Sequence, residues 1–505
     1  MWQRFTSDDL RVIAHYLGVL ILFSSAMYVI PLITAIVLGE WEPASRYFTT
    51  IGISLFIGTI LRLFCLQPRR LNRQQALAVT GFIWIILAFI AAIPLYGSGH
   101  YFSFLDALFD GVSGLTTTGA TVINDLEHLS YADNMFRFMM HLLGGLGLIV
   151  VALSFGLFGK GSASLYAAEA RSEHVVPNVI QTARLISKIA ALFILVATVF
   201  LTFACLIGGM EPLRAFFHAL WISISGFVTG GFAPTSQSIM YYHSFVIEVF
   251  LMLLMLCGAI NFTLHLEVWG GKLRSFFEDL EIKTMFLWVT AVVVVFTASL
   301  ATSTSFSELP SILRRGLFTI VAAVTTTGFQ NVTTNEITAV FSTGALLVIA
   351  IAMAIGGGAG STAGGIKLLR LGIIFKSIAG TIKETLSPDT AHVSVSYKHM
   401  GRTILTPDVS KEAMTIFLLY AITIGIGVMA GITAGYDALH AIFDSVAMAS
   451  NGGIVTGIVS PGMPHTLEIV YIIEMLAGRL EFITFISLVV KIVASIIPNR
   501  VRKRA

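Results

Sequence analysis

Long apolar runs limit what this chain can fold into more than any other feature of its sequence. A helix needs roughly 20 apolar residues to cross the hydrocarbon core of a bilayer. The runs lie near 11–38, 45–66, 76–96, 136–158, 186–208, 242–268, 284–303, 342–376, 413–434 and 465–497. Only 12% of the 505 residues are charged, against about 25% in soluble proteins. These numbers exclude soluble, fibrous, disordered and nucleic-acid-binding classes and predict a polytopic membrane protein with about ten spans.

Basic residues are concentrated in every second connection between these runs. They include Arg69, Arg70, Arg73, Lys160, Arg171, Arg184, Lys272, Arg274, Lys283, Lys376, Lys383, Lys398, Arg402, Lys411 and the tail from Arg500 to Arg504. By the positive-inside rule, both termini are expected in the cytoplasm of a multi-pass protein of the cell (inner) membrane. The first run starts at Arg11 and has no small-residue cleavage site after it, so we expect it to be retained.

A shorter apolar stretch recurs four times after the first two runs, at 102–116, 212–227, 308–325 and 437–450. Each is too short to cross a bilayer, and each ends in a turn rich in Gly and Thr or Asn. The central glycines of these turns are about 100 to 125 residues apart, which indicates internal duplication. The predicted units are a two-helix extension at 1–70 and four pore repeats at 71–160, 161–272, 273–411 and 412–505.

Four half-helices that end in glycine turns predict a site for a monovalent cation. Non-helical backbone survives at membrane depth only where protein buries it or where it lines a wet cavity. A ring of its carbonyl oxygens can replace the hydration shell of an ion, and glycine permits the positive φ that such turns need. The predicted ion-binding residues are Thr117, Thr118, Gly119, Gly230, Gly231, Thr327, Gly328, Asn451, Gly452 and Gly453. The expected ligands are the carbonyls of Thr118, Gly119, Gly230, Gly231, Thr327, Gly328, Gly452 and Gly453.

Several motifs resemble those of a known transporter superfamily. They are the segments 113–121 (SGLTTTGAT), 144–150 (GGLGLIV), 261–265 (NFTLH), 356–367 (GGGAGSTAGGIK) and 478–481 (GRLE). With them the chain resembles the Trk/Ktr/HKT potassium transporters, and among these the bacterial TrkH-type subunit. The resemblance implies an all-α fold of four fused membrane-pore-membrane repeats with pseudo-fourfold symmetry, plus two extra N-terminal transmembrane helices. It also implies a homodimer with one pore per subunit.

The resemblance assigns roles to particular residues. Gly119, Gly231, Gly328 and Gly453 become the four selectivity-filter glycines, and glycine at all four positions implies potassium. The fourth turn lacks the Gly-Pro-Gly often found there, so its register departs most from the family pattern. Glycine is poorly tolerated inside helices, so the glycines at 356–365 predict a broken helix, and the resemblance implies that this break is the gating loop. The implied gate residues are Gly356, Gly357, Gly358, Gly360, Gly364, Gly365, Lys367 and Arg479.

Partners follow from the same resemblance. It implies a cytosolic TrkA-like ring that binds NAD(H) or adenine nucleotide and docks near 159–185, 269–283, 378–411 and the tail. Membrane lipid is expected around the spans, and no nucleic acid, catalytic residue or cofactor is expected in this chain, whose only ligand is the transported K⁺. Both a channel and a symport coupled to H⁺ or Na⁺ are compatible with the sequence. A strand is expected at 392–396 in the longest polar stretch.

Other interpretations remain open on the sequence alone. The chain is also compatible with the ion-translocating subunit of a Kdp-like ATP-driven pump. An intramembrane serine protease built on Ser113 would need a histidine base, for which His141 or His265 could be proposed. Arg479 could form a structural bridge to Glu474 or Glu481, a role that is compatible with a pore barrier. Asp106 and Asp110 could either raise the local cation concentration or brace the first turn. His15, His141, His218 and His265 are interpreted as packed residues.

Overall fold

The computed structural model describes residues 5–65, 71–123, 125–155, 165, 179–301, 309–334, 337, 341–388, 390, 393–480 and 482–496. Most of the described residues lie in helices. The first half contains α1 Ser7–Ser24, α2 Val29–Leu38, α3 Trp41–Leu63, α4 Arg73–Tyr96, α5 Phe104–Thr116, α6 Tyr131–Leu146, α7 Leu148–Ser154, α8 Val179–Ile207, α9 Pro212–Phe227, α10 Phe245–Ala259 and α11 Phe262–Trp269. The second half contains α12 Leu273–Glu278, α13 Leu280–Ala301, α14 Leu309–Val324, α15 Thr343–Ala354, α16 Leu368–Thr385, β1 Ser396–Lys398, β2 Arg402–Ile404, α17 Pro407–Thr433, α18 Ala438–Ala449, α19 His465–Arg479 and α20 Ile483–Ile496.

Six helices in the described ranges are long and apolar enough to cross a membrane, and eight spans result if each of two bent pairs counts as one. The bent pairs are α6 with α7, at 80°, and α10 with α11, at 103°. Between the long helices lie the four short ones, α5, α9, α14 and α18, close to the limits expected from the sequence. The fold is therefore that of a helical polytopic membrane protein, as predicted.

The second long helix of every repeat is interrupted. The sequence indicated this interruption only in the third repeat, at 356–365, and the apolar pattern gave no sign of it in the other three repeats. The runs 136–158, 242–268 and 465–497 were expected to be continuous, but they break at Gly147, at 260–261 and at 480–482. Two or three residues before each break, a glycine packs against the end of a short helix. A Cβ on Gly144, Gly258 or Gly478 would overlap the carbonyl oxygen of Leu115, Phe227 or Ala449, respectively. The second helix thus approaches the turn backbone more closely than any side chain would allow.

The N-terminal extension is held to the first repeat by a buried ion pair. The Arg46 guanidinium lies 2.8 Å from the Asp133 carboxylate, and the Tyr47 hydroxyl donates to the other oxygen of Asp133 at 2.6 Å. Glu40 accepts from the backbone N–H groups of Tyr131 and Ala132 at the start of α6. Hydrogen bonds to a charged acceptor contribute about 1.5–3 kcal/mol, so the extension is an integral part of the fold.

The strand expected at 392–396 begins at Ser396 instead. Ser396 pairs with Ile404 and Lys398 with Arg402 in an antiparallel hairpin, and the turn between the strands contains Met400 and Gly401, both at positive φ. The turn thus sets the register of the hairpin. The alternation of polar and apolar residues at 392–396 placed the strand a few residues too early. His392 lies outside the described residues.

Candidate ion pathway

The four short helices end in turns of the same backbone conformation. In each turn a residue in the left-handed region is followed two positions later by a glycine that also has positive φ. The first residues are Thr117 (57°), Thr229 (51°), Thr326 (51°) and Asn451 (55°), and the glycines are Gly119 (84°), Gly231 (88°), Gly328 (84°) and Gly453 (66°). The fourth turn therefore aligns with the other three, with Asn451 in the place of a threonine.

One hydrogen bond closes every turn in the same way. The N–H of the middle residue donates to a carbonyl five residues earlier in its short helix, which is a common way to end a helix at a left-handed residue. The four bonds join Thr118 to Ser113 (2.9 Å), Gly230 to Ser225 (2.7 Å), Thr327 to Ala322 (2.9 Å) and Gly452 to Ala447 (2.8 Å). Local sequence thus produces the same turn four times.

The four turns meet in a closed ring. Each glycine packs against the carbonyl oxygen of the middle residue in the next turn, so closely that a Cβ could not be added. In cyclic order, Gly119 faces the oxygen of Gly230, Gly231 that of Thr327, Gly328 that of Gly452, and Gly453 that of Thr118. All four glycines line one cavity of about 330 Å³, which opens away from the helix ends. Four of the predicted carbonyl ligands are therefore brought together around one axis.

A second layer of side chains lies beneath the ring and contacts the Gly-rich segment between α15 and α16. The Thr229 hydroxyl donates to the Thr362 hydroxyl at 3.1 Å, and the Gly364 N–H donates to the Thr326 hydroxyl at 2.7 Å. A Cβ on Gly364 would lie 3.0 Å from the Cβ of Asn451. The segment therefore touches the left-handed residues of turns two, three and four.

Arg479, the last residue of α19, reaches the first turn and the same segment. Its Nη1 donates to the Thr117 hydroxyl at 3.3 Å and to the Thr362 carbonyl at 3.2 Å. Its Nη2 donates to the carbonyls of Gly144 and Gly145 at the break of the first repeat. A positive charge and the Gly-rich segment thus lie together on the side of the ring opposite the cavity.

The Gly-rich segment is fixed to helices of the second and third repeats. The Gly358 N–H donates to the Ala259 carbonyl at 2.7 Å, and the Thr362 hydroxyl donates to the Gly258 carbonyl at 2.9 Å. The buried Glu281 carboxylate accepts from the Ala359 N–H. Of the other predicted gate residues, Lys367 donates to the Ala363 carbonyl within the segment.

Glu281 connects the Gly-rich segment to the hairpin β1–β2 through Asp279. The Asp279 carboxylate accepts from the Glu281 N–H at 2.8 Å and from the Met400 N–H at 3.2 Å, and it contacts the His399 Nδ1 at 3.2 Å. Next to it, a hydrogen bond from Lys398 lowers the pKa of Glu278 to about 2, with help from Arg274. A chain of polar contacts therefore runs from the hairpin β1–β2 to the segment below the ring.

The structure bears on two of the alternatives left by the sequence. Ser113 donates to the Ala120 carbonyl at 2.6 Å, while the two ring nitrogens of His141 contact the Gly114 carbonyl and the Phe232 N–H. This arrangement holds turn one against turn two and does not place His141 on the serine, and His265 contacts the Cys257 carbonyl instead, so the geometry does not favour the protease interpretation. Two acids were proposed as partners of Arg479. Of these, Glu474 accepts a hydrogen bond from the Ser445 hydroxyl, and Glu481 lies outside the described residues.

Sequence reasoning missed Thr362, Thr229, Thr326 and Glu281 as site residues. Thr362 is a polar residue inside a glycine-rich run, and Thr229 and Thr326 stand at positions equivalent to Thr117. Aligning the four turns on the residue two before each glycine would have found the last two. Glu281 had only the weak signal of an acid at the start of an apolar run. Lys160 and Arg171 of the proposed docking region lie outside the described residues.

A ring of four glycine turns, each between a short helix and an interrupted long one, defines a membrane protein of four fused membrane-pore-membrane repeats. The family model of TrkH, described as cation transport protein, matches residues 44–496. The chain therefore belongs to the TrkH family of cation transport proteins, which confirms the resemblance seen in the sequence motifs.

Individual relatives match over nearly their whole length. The chain is 31% identical over 486 residues to an uncharacterised cation transporter of Methanocaldococcus jannaschii, with 96% of each chain covered. It is 30% identical over 497 residues to the Trk system potassium uptake protein TrkH of Escherichia coli, covering 95% of this chain and 98% of that one. The crystal structure of the potassium transporter TrkH from Vibrio parahaemolyticus is similar with a TM-score of 0.79 at 26% identity, covering 95% and 98% of the two chains.

Proposed function

We propose that the protein takes up potassium ions through the ring of turn carbonyls, which acts as a selectivity filter. The observation that carries the proposal is the closed ring, in which the oxygens of Thr118, Gly230, Thr327 and Gly452 stand in cyclic order beside four glycines of positive φ. Carbonyl oxygens replace the water of a dehydrated monovalent cation. The names of the Escherichia coli and Vibrio parahaemolyticus relatives support potassium as that cation.

The Gly-rich segment at 356–365 and Arg479 together form the proposed gate. Thr362, Gly364 and Arg479 contact the left-handed residues of all four turns from the side opposite the cavity. A guanidinium in this position repels a cation that leaves the ring, and the segment blocks its path. Opening therefore requires the segment to release Thr229, Thr326 and Arg479.

Regulation is proposed to reach the gate from the cytoplasm. A TrkA-like nucleotide-binding ring would dock on the segments near 269–283 and 378–411, which the structure links to Ala359 through His399, Asp279 and Glu281. The same proposal places both termini in the cytoplasm and pairs two subunits in a homodimer with one pore each. The name of the Escherichia coli relative, a component of a Trk system, supports a partner of this kind.

Flux through the purified protein in liposomes tests the proposal. We expect K⁺ and Rb⁺ to move faster than Na⁺ without ATP, and Gly119→Ser to reduce this preference because its side chain disturbs the oxygen of Gly230. The same assay with and without a proton gradient distinguishes a channel from an H⁺-coupled symport. An unchanged ion ratio in Gly119→Ser refutes the filter, and an absolute need for an ATPase partner favours the Kdp-like pump instead.

A further inference from the structure

A buried carboxylate stands behind the first turn, seven residues before its left-handed threonine. Both oxygens of Asp110 are engaged by the chain that leaves the turn. Oδ1 accepts from the Val122 N–H at 3.0 Å, and Oδ2 accepts from the Thr121 hydroxyl at 2.7 Å. The Tyr101 hydroxyl also donates to Oδ2, at 3.1 Å. Asp110 therefore ties the body of the short helix α5 to the chain just beyond Gly119.

The fourth turn has the same arrangement at the equivalent positions. Asp444 lies seven residues before Asn451, and its Oδ1 accepts from both the N–H and the hydroxyl of Thr456 at 2.8 Å each. Thr456 follows Gly453 by three residues, as Val122 follows Gly119. The same bond, from the amide three residues beyond the glycine to a helix carboxylate, thus occurs in repeats one and four.

Repeats two and three differ at both ends of this bond. Ile222 occupies the carboxylate position in the second repeat, and the residue opposite is Pro234, which has no N–H to donate. In the third repeat the two positions hold Thr319 and Asn331, whose side-chain oxygens are 3.5 Å apart. The acid is therefore absent from repeat two, where proline removes the donor, and from repeat three, where the Thr319 hydroxyl contacts the Asn331 side chain instead.

Burial favours bracing over attraction of cations as the role of these acids. Asp110 and Asp444 are both 0% exposed. Neither acid lines the cavity in front of the ring. The lining includes Thr121, which Asp110 binds, and Val455 and Gly457, which flank the Thr456 bound by Asp444. A buried carboxylate that accepts several N–H and O–H groups fixes those groups in place, because leaving them unpaired is costly.

We propose that Asp110 and Asp444 are positioning residues that hold the carbonyls of turns one and four in the geometry that selects among cations. The inference rests on the proposed function of the ring as a filter. It divides the filter into two adjacent quarters held by carboxylates and two held by other means. Ion preference then depends on hydrogen bonds made outside the ring itself.

The test compares Asp444→Val with Asp444→Asn in the liposome flux assay, using the ratio of Na⁺ to K⁺ flux. The ratio is independent of the amount of active protein, so a loss of folded protein alone leaves it unchanged. Valine removes the acceptor of both Thr456 bonds, and we expect the ratio to rise about three- to ten-fold. Asparagine keeps Oδ1, so we expect a ratio within about two-fold of wild type. Ile222→Val, at the same position in repeat two, is the control and should leave the ratio unchanged.

Two further variants make every outcome informative. Thr456→Val keeps the carboxylate and removes the bond from the Thr456 hydroxyl, and an expected rise of about two- to three-fold gives a second measurement if Asp444→Val does not insert. An unchanged flux ratio in the valine variants overturns the positioning role of Asp444. The same conclusion follows if Asp444→Asn changes the flux ratio as much as Asp444→Val does. Gly119→Ser separates the filter hypothesis from the positioning hypothesis. If Gly119→Ser raises the flux ratio while Asp444→Val does not, the ring is a filter but Asp444 does not position it.

Discussion

Replacing Arg479 by alanine is expected to open the pore in the absence of any partner. The side chain makes contacts from two nitrogens, which join Thr117, Thr362 and the Gly144–Gly145 carbonyls. A hydrogen bond from a charged donor is worth about 1.5–3 kcal/mol. Three of the contacts are long, at 3.2–3.3 Å, and water replaces part of what is lost. We therefore take about 2–3 kcal/mol for the whole set.

A change of this size shifts the balance between closed and open gates by about 30- to 150-fold, since 1.4 kcal/mol is a factor of ten. Basal ⁸⁶Rb⁺ flux into liposomes should therefore rise at least about ten-fold. Arg479→Lys keeps the charge but cannot span the same acceptors, and it should fall between alanine and wild type. Flux that stays the same or decreases in a well-folded Arg479→Ala protein would refute the gate and favour a purely structural role.

Three more outcomes are expected. Gly328→Ser should lower the preference for K⁺ over Na⁺ in the flux assay, because a Cβ at this position meets the Gly452 carbonyl at 2.8 Å; an unchanged preference contradicts the ring. Glu281→Gln should raise basal flux about three- to ten-fold, because it weakens the hydrogen bond from the Ala359 N–H in the Gly-rich segment. Glu412→Gln, at an exposed position, is the control and should leave basal flux unchanged. Equal flux in the two variants refutes the role of Glu281 in holding the segment. Gly258→Ala should lower the thermal stability of the detergent-solubilised protein by overlap with a carbonyl, whereas Gly425→Ala, with open space around it, should raise it slightly; equal stabilities contradict the close approach.

The short helices and their turns were predictable because their signals are local. Length, apolarity and a terminal Gly-Thr or Asn-Gly pair placed 212–227 at the bounds of α9 and 102–116 within two residues of α5. The turn conformation follows from residues adjacent in sequence, so Gly119 and Gly328 could be recognised without any tertiary information. The register of the fourth turn needed the structure, since Asn451 takes a place that threonine fills elsewhere.

Features that depend on contacts between residues far apart in the sequence were not predictable. The breaks after Gly144, Gly258 and Gly478 arise from the close approach of a distant carbonyl, and the apolar pattern continues through them. The bond from Ala359 to Glu281 joins residues 78 positions apart. The pairing of Asp110 with the chain beyond Gly119 is local, yet the sequence alone left bracing and cation attraction equally open. Only the burial of the carboxylate and its donors favours bracing.

The most direct test of the central claim is to locate the ion. Crystals of the protein grown in K⁺ and then soaked in Tl⁺ should give an anomalous peak on the axis of the ring, at coordinating distance from the carbonyls of Thr118, Gly230, Thr327 and Gly452. The peak should disappear in Gly119→Ser crystals treated in the same way. A ring that stays empty while Tl⁺ binds elsewhere in the protein would contradict the account.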